Sequence, residues 1–246
     1  MHYHLALGFQ KIFIYDNEDV PTYAQMFSDS RVEVGFLPGK NYFYPVQYEA
    51  LNRFIKDILK GRGGVTHCAH IDIDEFIVLK KHNTIQEFIT EYFRGDTKAI
   101  VMNWKFFGSN SLAYQTPHPV LERFTRCGKG HFLYKTLFQV ESLVKFRNSH
   151  RIIVSNGYVK TTSGDIVEYD ENHKMVFDSV QLNHYKVKTW PEFCRARSRG
   201  GPDKEHIFSF LFTKEPENVY ENYLTYNQND EEDLSALHIA IKNGVL

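Results

Sequence analysis

The chain has 246 residues, 42% hydrophobic and 24% charged. That is enough for one substantial core, in one domain of about 200–250 residues or a domain with a small appendage. A net charge of −1 and a pI near 6.9 give no electrostatic footprint for nucleic acid or an anionic membrane, and no apolar run reaches the ~18 residues of a membrane span.

Three widely spaced cysteines, Cys68, Cys127 and Cys194, outline neither a disulfide framework nor a zinc site. Together with a start, Met1-His2-Tyr3-His4, that lacks a signal-peptide pattern, they favour a reducing, cytoplasmic compartment over a luminal one. Lys11–Asp16 (KIFIYD) reads as a short strand ending in Asp16-Asn17, and Arg31–Leu37 as a second, closed by Pro38-Gly39. Pro45–Lys60 carries Val46, Ala50, Phe54 and Ile58 at helical spacing, with Gly61 as its stop. Val65–Ile73 reads as a third strand, nearly all apolar as a central parallel strand should be. Thr84 caps a helix to about Phe93, and Lys98–Asn103 is a fourth strand. This alternation predicts an α/β domain, with a mostly parallel central sheet flanked by helices and ligands beyond the carboxyl ends of the strands.

From Val120 to Tyr185 short strands dominate, separated by turns such as Ser155-Asn156-Gly157, so a smaller antiparallel portion is expected in the second half. Thr189–Arg199 reads as a helix with Pro191 in its first turn. The tail from about Thr213 is polar and tyrosine-rich, with an acidic cluster at Asp230–Asp233.

The chemistry concentrates in His70-Ile71-Asp72-Ile73-Asp74-Glu75-Phe76. On a strand, Asp72 and Asp74 share one face and Ile71 and Ile73 the other. Acids in so apolar a setting cost several kcal/mol unless paired or metal-bound. Two hard carboxylates suit Mg²⁺ or Mn²⁺, which can also hold a diphosphate. A bare D-x-D more often marks a strand end turning into solvent; the apolar runs on both sides favour a site. Asp16 and Asn17 suit either a turn or contact with a nucleotide base or ribose. His184 could complete a metal shell or be structural. Lys135, with Lys145, Arg147, His150 and Arg151 nearby, could hold phosphates or form a solvated strand face. Trp104, Phe106, Phe107, Gly108 and Ser109 could make a sugar platform or core packing. Arg195, Arg197 and Arg199 are also explained by a helix C-terminus.

Six pieces stand in a telling order: HLALGF with IFIYDN, Q-x-x-A-x-N-R-F at Gln47–Phe54, HIDIDEFIVL, NWKFFGS, YKTLF with a later His150, and NHYKVKTWPEFCRARSRGG. Together they resemble the glycosyltransferases of family 92 and family-2-like proteins of GT-A (Rossmann-like) fold, from roughly Met1 to Gly201. The resemblance implies a UDP- or GDP-sugar donor, a glycan or glycoprotein acceptor, and inversion at the anomeric carbon. It implies Mn²⁺ or Mg²⁺ on Asp72 and Asp74 and places His184 near the donor; the residues themselves add His184 as a third metal ligand and Glu75 to the catalytic set. It places Asp16, Asn17 and Gln47 at the nucleotide, Lys135 and Arg199 around the donor, and Trp104, Phe107, Gly108 and Ser109 at the acceptor. The general base stays open among Glu75, Asp165, Glu168, Asp170 and Asp203.

Two departures stand out. Relatives carry one more strand before the first helix; here either the start is truncated, or the sheet lacks that strand, or another segment replaces it, and the donor pocket changes accordingly. Leu234–Val245 resembles the opening helix of an ankyrin repeat, which cannot bury its own face alone. The domain is thus expected at 1–212, with a polar tail at 213–246. A metal-dependent phosphohydrolase and a non-catalytic sugar- or protein-binding relative are the rival readings.

Overall fold

The computed structural model describes residues 1–37, 46–56, 64–168, 173–198 and 216–246. The first helix, α1 (His2–Ala6), buries Tyr3 and Leu5. The strand pair expected next forms as β1 (Ile12–Asp16) and β2 (Val32–Phe36), parallel, with Ile12 opposite Val32 and Asp16 opposite Phe36. Helix α2 (Val46–Phe54) follows and residues 55 and 56 continue it as a π turn; its expected start at Pro45 and its continuation over 57–60 lie outside the described residues.

Strand β3 covers only His67–Ala69, and β4 is Glu75–Leu79. The strand expected through Ile73 therefore stops early, and residues 73 and 74 form a turn. Helix α3 (Ile85–Tyr92) starts where Thr84 predicts. The Thr84 hydroxyl accepts from the Glu87 amide, and the Glu87 carboxylate accepts from the Thr84 amide, a reciprocal cap. Strand β5 (Thr97–Phe106) runs three residues past the expected Asn103.

The second half is strand-rich, as expected. It comprises α4 (Val120–Arg123), β6 (Arg126–Cys127), β7 (His131–Gln139), β8 (Leu143–Phe146), β9 (Ile152–Val154), β10 (Tyr158–Lys160) and β11 (Val180–His184). Helices α5 (Trp190–Ser198) and α6 (Pro216–Tyr226), strand β12 (Glu231–Glu232) and helix α7 (Ser235–Lys242) complete the order.

The central sheet runs β3-β7-β5-β11-β4, with β10 also on β5. It is mixed, not mostly parallel. β10 and β11 lie parallel to β5, whereas the β3–β7, β7–β5 and β11–β4 pairs are antiparallel. The long β7 runs through the middle of what was expected to be a parallel array. Local hydrophobic pattern shows that a strand is buried on both faces, but not which neighbour it takes.

One topological consequence matters for chemistry. β3 and β4 occupy opposite edges of the sheet, so the chain between them, residues 70–74, crosses the ends of β7, β5 and β11. These are the carboxyl ends of β3, β5 and β11 and the amino ends of β7 and β4.

One main core joins Ile77, Val78, Met102, Leu137 and Leu182 of the sheet to Tyr3 and Leu7, to Ile85 and Phe88 of α3, and to Ala236 and Ala240 of α7. A second cluster gathers Ala99, Phe138, Val140, Leu143 and Ile152, with Phe13 of β1 and Phe54 of α2 against it. The ankyrin-like helix is thus part of the main core. β12 pairs with β6, and Lys105 Nζ lies 2.6 Å from a Glu231 oxygen. The Asp233 carboxylate accepts from Gln181 on β11 at 2.7 Å. Among the described residues no helix is long and apolar enough to cross a membrane.

Candidate functional site

The crossing segment is held by a reciprocal pair of hydrogen bonds. The Asp72 amide donates to Glu75 Oε2 at 2.8 Å, and the Glu75 amide donates to the Asp72 carbonyl at 3.1 Å. The Asp74 carbonyl accepts from the Tyr185 amide at 3.0 Å, which ties the turn to the end of β11. Ile73, at the tip, is 86% exposed. The expected two-faced strand is therefore a tight turn with its apolar residue outermost.

Three strands bring side chains to this turn. Lys135 of β7 is 1% exposed; its Nζ lies 3.3 Å from Asp72 Oδ1 and donates to the Ser149 carbonyl at 3.1 Å. His184 ends β11, in register with Glu75. Its Nε2 lies 3.6 Å from Asp74 Oδ1 and its Nδ1 3.9 Å from Glu75 Oε1. The Trp104 ring of β5 meets the His184 ring at 4.5 Å and the His150 ring at 5.0 Å, both edge-on. From the loop after β11, Lys188 Nζ donates to Asp74 Oδ2 at 3.2 Å.

The buried geometry sets the charges. Glu75 is 1% exposed, and burial, reinforced by Asp72 and Asp74, pushes its carboxyl up to about 8. Burial also works to raise Asp72, but the charges of Lys135, His70 and His184 outweigh it and hold that carboxyl below its ordinary value. Burial pushes His184 down to about 4, so its imidazole is neutral at pH 7. His70 and His150 are also brought to about 4, by burial and then by the Lys135 charge.

One oxygen of Asp72, one of Glu75 and one nitrogen of His184 all lie within 4.8 Å of one another. Two ligands of one Mg²⁺ ion, each at about 2.1 Å, stand at most about 4.2 Å apart. The cluster thus needs only slight tightening to share an ion. Glu75 Oε1 and His184 Nδ1 find no hydrogen-bond partner among the described residues, an expensive arrangement for buried polar atoms that have nothing to bind. Two carboxylates and a neutral imidazole suit Mn²⁺ or Mg²⁺. Asp72, Glu75 and His184 form the three-residue group, whereas Asp74 pairs separately, its Oδ1 3.6 Å from His184 Nε2 and its Oδ2 3.2 Å from Lys188 Nζ.

The other expected site residues are placed as follows. Asp16 ends β1, and its carboxylate accepts from the amides of Glu18, Thr22 and Tyr23, closing the loop beside exposed Asn17. Gln47 lies in α2, with its side chain outside the described residues, and Arg199, Asp170 and Asp203 lie outside them altogether. Trp104, Phe107 and Ser109 are buried beneath the surface, and Gly108 packs against Asn229. Asp165 accepts from the Ser163 hydroxyl in a local turn.

The sequence reading did not single out Lys186 or Lys188. Lys186 Nζ sits 3.6 Å over the Tyr226 ring, and burial, then Arg197, pushes its ammonium down to about 8. The signal available was the K-x-K two residues after His184 in HYKVK. The sequence model of glycosyltransferase family 92 matches residues 54–240. No curated protein matches the chain.

Proposed function

The chain belongs to glycosyltransferase family 92, and on that premise we propose that it moves a sugar from a UDP- or GDP-sugar to a hydroxyl of a glycan or glycoprotein, with inversion and with a divalent cation. One observation carries the proposal: three acids, a neutral imidazole and a buried lysine converge where the chain crosses the carboxyl ends of β3, β5 and β11. That is where open α/β sheets bind ligands. The same location and the parallel β1–β2 pair support reading the domain as GT-A-like.

Asp72, Glu75 and His184 would hold Mn²⁺ or Mg²⁺. When bound, the ion supplies positive charge beside the diphosphate of the donor. Lys135 adds a second, permanently placed charge, held rigid by Asp72 and the Ser149 carbonyl. The Trp104 ring fixes the orientation of His184 and His150 from below. Asp72 and Asp74 are only half-buried and Ile73 is exposed, so this side of the turn is open to a ligand.

The test is incubation with Mn²⁺ and a panel of UDP- and GDP-sugars, reading free nucleoside diphosphate. Release should fall by about 10²-fold or more in Asp72→Ala and in His184→Ala. A folded wild-type protein that neither binds nor turns over any donor sinks the transferase reading and points to a binding module. Hydrolysis of simple phosphate esters without sugar preference points to a phosphohydrolase.

A further inference from the structure

Lys188 adopts a backbone conformation that its side chain disfavours. Its φ is 56°, in the left-handed region. The other non-glycine residues described with positive φ are Asn110, Ser111 and Asn156, small polar residues of the kind turns commonly use there. A long side chain in that region is strained, and such strain persists where the surroundings enforce it and tends to cluster at functional sites.

The enforcement is visible on both sides. Val187 and Thr189 flank Lys188 and are fully buried. The Thr189 hydroxyl donates to Glu192 at 2.8 Å, and Arg123 grips the same carboxylate through two bonds at 2.9 and 3.0 Å. Upstream, the Tyr185 amide is bonded to the Asp74 carbonyl. Residues 185–189 thus wrap the Asp74 turn, and the left-handed step sends the Lys188 ammonium to Asp74 Oδ2, 3.2 Å away. Glycine would satisfy that backbone without strain, so the side chain is the reason for a lysine there.

The charges pair in a suggestive way. Asp72 is matched by Lys135 and Asp74 by Lys188. Lys135 is fully buried, whereas the Lys188 side chain is about a quarter exposed, at the open rim. A cation brought to these acids weakens the Asp74–Lys188 pairing and leaves Lys188, at the rim, free to turn toward an anion beside it, while Lys135 stays held by the Ser149 carbonyl.

Resting on the transferase reading above, we propose that Lys188 holds the terminal phosphate of the nucleoside diphosphate, with Asp74 as its placeholder when no donor is bound. In the transfer step the bond from the anomeric carbon to the terminal phosphate oxygen breaks, and its electron pair stays on that oxygen. The acceptor oxygen forms the new bond to the carbon and gives up its proton to solvent. The negative charge gained by the departing oxygen is what Lys188 faces, a charge-assisted contact of the kind that discriminates one phosphate from two.

Calorimetric titration with UDP, UMP, GDP and GMP in Mn²⁺ tests this, using wild type, Lys188→Gln, Lys188→Gly and Lys188→Arg. The Gln and Gly variants should bind the diphosphate about tenfold or more weakly and the monophosphate as wild type does. Arg should restore most of the loss, and Gly, which accepts the left-handed backbone, should melt no lower than Gln. Unchanged diphosphate binding in Lys188→Gln overturns the proposal, as does an equal loss for mono- and diphosphate, which would mark a structural role. A wild type that binds none of the four nucleotides overturns the transferase reading and this proposal with it.

Discussion

Replacing Glu75 by Gln should make the metal-free protein more stable and inactive. The Glu75 carboxyl is fully buried and sits at about 8, against an ordinary value near 4.5. Between those two values the folded protein keeps a proton that the unfolded chain has released. Stability must therefore fall as pH rises through that window. At pH 7 the deficit is about 3 kcal/mol, taking 1.36 kcal/mol per unit of pH. His184, His70 and His150 are pushed down to about 4, and act in the opposite direction between about pH 4 and 6.5. They are common to both proteins, so the difference between wild type and variant isolates Glu75. The Glu75→Gln side chain keeps an oxygen for the Asp72 amide and has no proton to lose. Urea unfolding in chelator should give coincident midpoints near pH 4.5 and a gap that widens to about 1 M by pH 7, for an m-value near 3 kcal/mol/M. Mn²⁺ should raise the wild-type midpoint and leave that of the variant nearly unmoved. Parallel midpoints across pH 4.5–8 would refute the buried, proton-bearing carboxyl.

Two further outcomes test the frame around the site. The Arg123–Glu192 pair is bidentate and almost wholly buried, so Arg123→Ala should cost about 3–5 kcal/mol in chemical denaturation by leaving Glu192 uncompensated. Ala240 is fully buried between α7 and the sheet. Ala240→Leu should cost about 1–3 kcal/mol by overpacking, whereas a loosely attached helix would show almost no change.

The candidate site was legible in the sequence because it is local: Asp72, Asp74 and Glu75 stand together between apolar runs, and His184 ends an expected strand. The Thr84 cap was legible for the same reason. The geometry of the acids was not. Alternation suggested a strand through Ile73, but residues 70–74 must travel from one edge of the sheet to the other, which no local pattern encodes. The antiparallel course of β7 was hidden likewise, since both kinds of buried strand read as apolar runs. Trp104 and Phe107 show a different limit. An aromatic residue beside a Gly-Ser turn fits a platform or a core equally well, and only the layer above it, here His184 and His150, decides. Lys188 was passed over because its importance lies in a backbone angle and a partner 114 residues away.

The place of α7 in the core has a consequence for how the protein is made. Tyr3 and Leu7 share one apolar cluster with Ala236 and Ala240, and the two pairs are about 230 residues apart. At a ribosome's pace of about 5–20 residues per second, roughly 10–50 s separate their synthesis. Through that interval the face of β4 that receives α7 has no native cover, and exposed apolar surface of that kind is prone to stick to other chains. A chain ending before residue 235 therefore leaves that part of the core uncovered, which turns the completeness of the chain into a condition for closing the fold.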